Sequence, residues 1–133
     1  MNPFPNTSVY TEASVLTAPP GRLVVMLYDG AIRFIAQGAV AMRAGDRERM
    51  RDRLRRGEAI VDELNLVLDL RYGQIPEQLR ALYLFCKREL HAASVNSEPE
   101  RLDRVGRLLG DLRESWEQIA DREEDDDHME GAG

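Results

Sequence analysis

The chain has 133 residues and a formal net charge of −6, with 24 acidic and 18 basic side chains. The negative charge belongs to one segment, because residues 121–133 hold seven acidic side chains and a single basic one, Arg122. Residues 1–120 therefore hold 17 side chains of each sign and are formally neutral. A neutral body lacks the excess of lysine and arginine that neutralises phosphates, which argues against a nucleic-acid-binding protein.

The remaining totals indicate one domain without metal or disulfide chemistry. The chain is 43% hydrophobic and its apolar residues are periodic, which argues against a disordered acidic protein. Cys86 is the only cysteine, which excludes an internal disulfide and a cysteine-based zinc site. The first six residues do not resemble a signal peptide. The longest apolar run, residues 23–28, is far shorter than the roughly 20 residues of a membrane-spanning helix. We expect a cytoplasmic protein without membrane insertion.

The N-terminal part of the chain is punctuated by proline. Prolines at positions 3, 5, 19 and 20 predict an extended arm over residues 1–19, with apolar islands around Tyr10 and Leu16. A first helix is predicted from Pro20 to about Ala44, where Gly45 would end it. The first half of this helix is apolar on nearly every side, which predicts that several neighbours cover it.

Three further amphipathic helices are predicted from the spacing of apolar residues. No segment alternates with the period of two that a half-buried strand requires. Short connections between four such helices predict an all-α fold, an antiparallel four-helix bundle over residues 20–120. The acidic residues 121–133 are expected to form a disordered tail that aids solubility. The predicted bounds are about Arg47 to Leu70 for helix 2, Pro76 to residues 94–97 for helix 3, and Ser97-Glu98-Pro99-Glu100 to residue 120 for helix 4.

Patterns for catalysis or metal binding are weak. His91 follows Arg88 at the spacing where a metal site in a helical bundle has glutamate, so no metal or cofactor is predicted. His128 lies in the acidic tail. A phosphoryl-relay bundle would use an exposed histidine such as His91, but residues 92–95 lack the lysine and glycine typical of those domains. Cys86 lies on the apolar stripe of helix 3 and is predicted to pack as a small hydrophobe.

Helix 2 begins with a run of arginines. Seven arginines from Arg43 to Arg56 are interspersed with the acidic residues Asp46, Glu48 and Asp52. No aromatic residue interleaves with them. The mixed charges are typical of a solvated helix face rather than of a nucleic-acid patch.

Helices 1 to 3 carry more apolar residues than one core stripe requires. The excess comprises residues 23–28, Ile60 with Leu66 and Val67, and Tyr83 with Phe85. Large apolar patches usually mark a partner site, so the set favours a groove that binds a helix or an extended peptide. A wide core is the competing interpretation for any single residue.

One segment carries a family signature. The stretch from Leu16 to Phe34 closely resembles the FliS family of flagellar secretion chaperones, and its Met-Leu-Tyr-Asp-Gly-Ala-Ile core at positions 26–32 is highly specific. The resemblance covers about residues 8–120. It departs from the family pattern at Pro19, which stands where the family often has the serine that caps helix 1.

The resemblance implies a non-enzymatic export chaperone. Such a protein binds the C-terminal segment of newly made flagellin one-to-one, prevents its premature polymerisation and supports its delivery to the export gate of the flagellar type III secretion apparatus. We also expect the arm to cover part of the groove in the free protein. A phosphoryl-relay bundle and a generic helical adaptor are the alternatives. The residues expected to contact flagellin are Tyr10, Leu16, Leu23, Met26, Leu27, Tyr28, Ile32, Leu64, Leu68 and Tyr83.

Overall fold

The computed structural model describes residues 20–72 and 75–132, with side chains described for 21–70 and 75–126. Within these residues the backbone forms four α-helices joined by short connections, and no strand is present. The predicted all-α four-helix fold is confirmed. Predictions for the arm, residues 1–19, lie outside the described residues. The helices are α1 Pro20–Arg43, α2 Arg47–Tyr72, α3 Glu77–Asn96 and α4 Pro99–Ala132.

Local signals set the helix ends. α1 ends two residues before Gly45, the predicted stop, whose φ is 76°. The carboxylate of Asp46 accepts a hydrogen bond from the backbone N–H of Arg49 at 3.1 Å and so caps the start of α2. Ser97 does not open helix 4 but ends α3, with a left-handed φ of 54°. α4 begins instead at Pro99, because a proline ring suits the first helical turn.

α1 is the central helix of the bundle. It packs between α2 and α4, while α3 closes the bundle against the same two helices. Glycine helps α1 to approach α2, because a Cβ atom at Gly38 would lie 2.5 Å from Cδ2 of Leu54. Among the described helices α1 alone has the length and apolar composition of a membrane span, but more than half of that stretch is buried in the bundle. α1 therefore has the burial of a core helix.

A tyrosine pair joins α1 and α3 inside the core. The hydroxyls of Tyr28 and Tyr83 lie 2.6 Å apart and share a hydrogen bond, which satisfies both polar groups. Burial raises the pKa of both phenols, that of Tyr28 to about 12, so both remain neutral. Cys86 is fully buried, as predicted. Its burial raises the pKa of the thiol to about 11.

α4 continues through the acidic residues 121–126 to Ala132, within the segment for which the sequence favours a disordered tail. The guanidinium of Arg22 on α1 holds this segment by contacting carboxylates on successive turns of α4. The contacts are Glu117 at 2.9 Å, Asp121 at 3.1 Å and Glu124 at 2.9 Å. The hydrogen bond between Arg22 and Glu117 raises the pKa of the arginine and lowers that of the carboxyl.

Glu123 supplies a cap for α1 in place of the serine that the sequence lacks. Its Oε2 accepts a hydrogen bond from the backbone N–H of Gly21 at 2.8 Å. The first N–H groups of a helix have no partner within the helix, and a carboxylate there also interacts favourably with the helix dipole. Glycine permits this contact, since a Cβ at Gly21 would lie 3.0 Å from both Cα of Ala120 and Oε2 of Glu123. The start of the acidic segment is therefore part of the bundle.

Candidate peptide-binding surface

Eight of the ten residues expected to contact flagellin are described, and the structure divides these eight into a half-buried group and a core group. Met26, Leu27 and Ile32 on α1 are half-buried and remain predicted contacts. Tyr10 and Leu16 lie outside the described residues. The other five hold the helices together, and a partner cannot reach their side chains while the bundle stays closed. These core residues, each at most 5% exposed, are Leu23, Tyr28, Leu64, Leu68 and Tyr83.

An apolar surface open to solvent lies on α3. The side chains of Leu84, Phe85 and Val95 are 47%, 49% and 66% exposed. Ala81 is exposed and Ala92 half-buried at positions that helical spacing places on the same side. We call these five residues the α3 outer face. The exposed Arg88 lies on the same side, between Phe85 and Ala92, so this face combines apolar side chains with one guanidinium group. Exposed apolar side chains grouped on one side of a helix favour a partner site.

A groove between α2 and α3 borders this face. It has a volume of about 650 Å³ and is lined by Ala81 and Leu84 of α3 and by Asn65 of α2. The buried amide oxygen of Asn65 has no hydrogen-bond partner among the described residues. An unpaired buried acceptor is costly, so a backbone N–H of a bound peptide would stabilise it. Leu66 and Leu70 on the same helix are also exposed, but they line neither cavity of the α2–α3 side.

A second part, which we call the basic end, is a separate cavity along α2 and α3 that shares one lining residue with the first. Lys87 lines both parts, and its Nζ lies 2.8 Å from Oδ1 of Asp62. The basic end has a volume of about 450 Å³, and the buried leucines Leu54 and Leu90 contribute its apolar lining. Most of its other lining residues have nitrogen-containing, basic side chains: Arg51, Arg55, Lys87, Arg88 and His91.

Cys86 and His91 are the described side chains for which the sequence raised metal binding or catalysis. Within residues 21–70 and 75–126, no group of three or more His, Cys, Asp and Glu side chains could hold a metal ion. The thiol of Cys86 is buried and protonated at neutral pH, which makes it a poor nucleophile. His91 is exposed at the wall of the basic end. The fold defines an all-α four-helix protein, and its exposed apolar surface is the candidate site for a partner.

Comparison with known proteins gives the family. The family described as flagellar protein FliS matches residues 3–123, so the chain belongs to the FliS family. It is 33% identical to the flagellar secretion chaperone FliS of Bacillus subtilis, over 98% of this chain and 95% of that one. The chaperone of the same name from Salmonella typhimurium is 29% identical over 84% of both chains. That of Vibrio cholerae is 30% identical over 84% of this chain and 82% of its own. The resemblance seen at positions 26–32 is confirmed.

The α3 outer face includes residues that the sequence analysis did not assign to the site. Phe85 was noted only together with Tyr83, and Leu84 and Val95 were not proposed as contacts. A signal for them exists, because Leu84 and Phe85 are out of phase with the core residues Cys86 and Leu90 on a helix of 3.6 residues per turn. Adjacent residues on a helix point about 100° apart, so Tyr83 faces the core while its two successors face solvent.

Proposed function

We propose that this chain is a cytoplasmic export chaperone for flagellin and not an enzyme. It binds the C-terminal segment of flagellin, here called the client, in a one-to-one complex. Binding prevents premature polymerisation and supports delivery to the flagellar type III secretion apparatus. The proposal is supported by membership of the FliS family and by one structural observation, the exposed α3 outer face beside the α2–α3 groove.

The α3 outer face suits a client that is helical when bound. An amphipathic helix presents apolar anchors every three or four residues, which matches the spacing of Ala81, Leu84 and Phe85. Covering a half-exposed leucine or phenylalanine contributes about 1 kcal/mol. A client that is disordered when free loses conformational entropy on binding. That loss keeps the complex reversible although the covered surface is large.

Calorimetry with flagellin from the same organism tests the proposal. Full-length flagellin should bind one-to-one, and flagellin without its C-terminal segment should not bind. Phe85→Asp should weaken binding about 30-fold or more, because an unpaired carboxylate cannot be buried cheaply against an apolar client. Val40→Asp is the matched control, since Val40 is 68% exposed on α1 and lines neither part of the groove.

The outcomes separate the site from the function. Absence of binding to full-length flagellin, or equal binding to the truncated form, would contradict the proposed function. Equal weakening by both aspartate variants would contradict the assignment of the site to α3. Circular dichroism checks that both variants keep their helices, which we expect because both side chains are exposed.

The N-terminal arm belongs to the same proposal. It covers part of the groove in the free protein through Tyr10 and Leu16, and the client displaces it. The support is the pair of apolar islands in a proline-rich segment. Deleting residues 1–17 should increase the binding of a hydrophobic dye and change flagellin affinity. If neither quantity changes, the arm does not cover the groove.

A further inference from the structure

The basic end of the groove holds charges that the bundle leaves unpaired. Three arginines at the start of α2 share one carboxylate, that of Asp52. Asp46 lies within the arginine run, but its carboxylate caps α2. Arg51 on α2 and Arg88 on α3 make no ion pair among the described residues, and both line the basic end. The mixed charges at the start of α2 therefore do not cancel one another.

Positive charge exceeds negative charge at this part of the groove, although Lys87 pairs with Asp62 at 2.8 Å and Arg55 with Asp52 at 3.5 Å. Its lining includes the guanidinium groups of Arg51, Arg55 and Arg88 and the ammonium group of Lys87. Among the described residues that line it, Glu58 is the one carboxylate, with Oε1 3.9 Å from Nζ of Lys87. The whole chain carries a charge of −6, so this local excess of positive charge does not follow from composition. An anionic group placed here would find unused hydrogen-bond donors.

The acidic segment of the same chain does not fill the basic end. Arg22 holds Asp121 and Glu124 at the start of α1. At the other end of α1, Arg43 pairs with Asp103 near the start of α4 at 2.6 Å, and α2 begins just beyond. Roughly 30 Å, the rise of α1 between Arg22 and Arg43, separates the two ends. The described part of the acidic segment therefore lies toward the opposite end of α1 from the basic end.

We propose that the basic end binds carboxylates of the client while apolar residues of the client lie on the α3 outer face. The excess of positive charge at the basic end, and Lys87 as the lining residue that the two parts share, argue for one peptide that spans both. The client is then an amphipathic segment with acidic side chains toward one end. Arg51 and Arg88 set its direction along α2 and α3. This inference rests on the proposed function and adds the charge pattern and orientation of the client.

A pair of double variants tests this inference with full-length flagellin. Arg51→Ala/Arg88→Ala should weaken binding about 10-fold at roughly 50 mM salt, and the loss should shrink to about 2-fold near 1 M, because salt screens exposed charges. Arg104→Ala/Arg107→Ala removes the same charge from exposed positions on α4 and should change the affinity less than about 2-fold. Arg51→Lys/Arg88→Lys keeps the charge and should retain most of the affinity.

Acid-to-amide substitutions in the C-terminal segment of flagellin complete the test. Substitutions that remove the carboxylates bound at the basic end should weaken the binding of flagellin to the unchanged chaperone. The same substitutions should have little further effect on the affinity of Arg51→Ala/Arg88→Ala for flagellin. Such non-additivity measures direct coupling between the two sites. Equal, salt-independent losses in both double variants would overturn the inference.

The outcomes also distinguish this inference from the proposed function. If Phe85→Asp abolishes flagellin binding while Arg51→Ala/Arg88→Ala binds as the unchanged protein does, the inference fails and the function stands. If the unchanged protein does not bind flagellin, both fail. Analytical sedimentation of the protein without flagellin tests whether a second copy of this chain occupies the basic end. A dimer that dissociates in high salt and is absent in Arg51→Ala/Arg88→Ala would assign the basic end to the acidic segment of another copy and overturn the inference.

Discussion

The contact between α1 and α4 and the groove between α2 and α3 belong to one bundle, but they differ in the charges that they leave unpaired. Along α1 and α4 the charges pair across the contact, as Arg22 does with Glu117 and Arg113 with Asp29. Along α2 and α3 Lys87 pairs with Asp62 and Arg80 with Asp69. The guanidinium groups of Arg51 and Arg88 stay unpaired there, beside exposed apolar side chains. A contact whose charges are paired within the chain has few free hydrogen-bond donors or acceptors for a partner. A groove with unused donors and exposed apolar surface retains its capacity for binding.

The largest expected effect on stability is the difference between a substitution on the core side of α2 and one on its exposed side. Leu64 is fully buried, whereas Leu66, two residues later, is 53% exposed. Leu64→Ala should lower the free energy of unfolding by about 2–5 kcal/mol because it leaves a cavity. Leu66→Ala should lower it by less than about 0.5 kcal/mol. Urea unfolding followed by circular dichroism measures both values. Equal losses would contradict the core assignment of Leu64.

Removing Arg22 should open the contact between α1 and α4. Arg22→Ala leaves three carboxylates of α4 without their shared partner, so we expect a loss of about 1 kcal/mol of unfolding free energy at low salt and less at high salt. Amide hydrogen exchange in residues 121–126 should become faster. Arg104→Ala, at an exposed position on α4, is the control. Unchanged exchange in Arg22→Ala would show that Arg22 does not hold the acidic segment.

Two glycines test how closely α4 approaches α1. Gly21→Ala should lower the free energy of unfolding by about 1 kcal/mol, because the new Cβ would lie 3.0 Å from Cα of Ala120. Gly110→Ala should raise it by about 0.5–1 kcal/mol, because no atom lies within 4 Å of a Cβ there and alanine favours the helix. If Gly21→Ala is as stabilising as Gly110→Ala, the close approach of the two helices is wrong.

The smallest effect is the pH dependence of the Arg22 contact. The hydrogen bond from Arg22 lowers the pKa of Glu117 below its ordinary value of 4.5. Its contribution to stability is therefore complete above pH 4.5 and is lost as the pH falls through the lowered pKa. Glu117→Gln should be less stable than the unchanged protein at pH 7, and the difference should shrink by pH 3. Urea unfolding at both pH values measures this difference. Glu114→Gln, at an exposed position on the same helix, is the control for the substitution itself.

The helices could be predicted because each depends on signals within its own segment. The apolar spacing of helix 2 predicts Arg47 to Leu70, and α2 runs from Arg47 to Tyr72. Cys86 is placed in the core by its own stripe, and the structure confirms this placement. Proline and glycine locate the starts and stops, since their backbone preferences act on neighbouring residues.

The sequence could predict that a binding surface exists but not which residues form it. An excess of apolar residues indicates a binding surface, but Tyr83 and Phe85 are equally apolar in the sequence. The tyrosine is buried and the phenylalanine is half-exposed because α2 and α4 cover one side of α3 and leave the other open. Which side is covered depends on the packing of helices far apart in the chain. Composition carries no record of that packing.

The sequence by itself determined the family, the four helices and the location of the negative charge in residues 121–133. Only the tertiary structure decided which charged side chains are paired and which are not. Residues 121–126 continue α4 because Arg22 and the N–H of Gly21, about 100 residues earlier, lie within hydrogen-bond distance of its carboxylates. The start of α2 keeps unpaired arginines because Asp46 caps the helix and Asp52 serves three arginines at once. Ionic contacts act over a few ångströms in space, and the order of residues along the chain does not specify those distances.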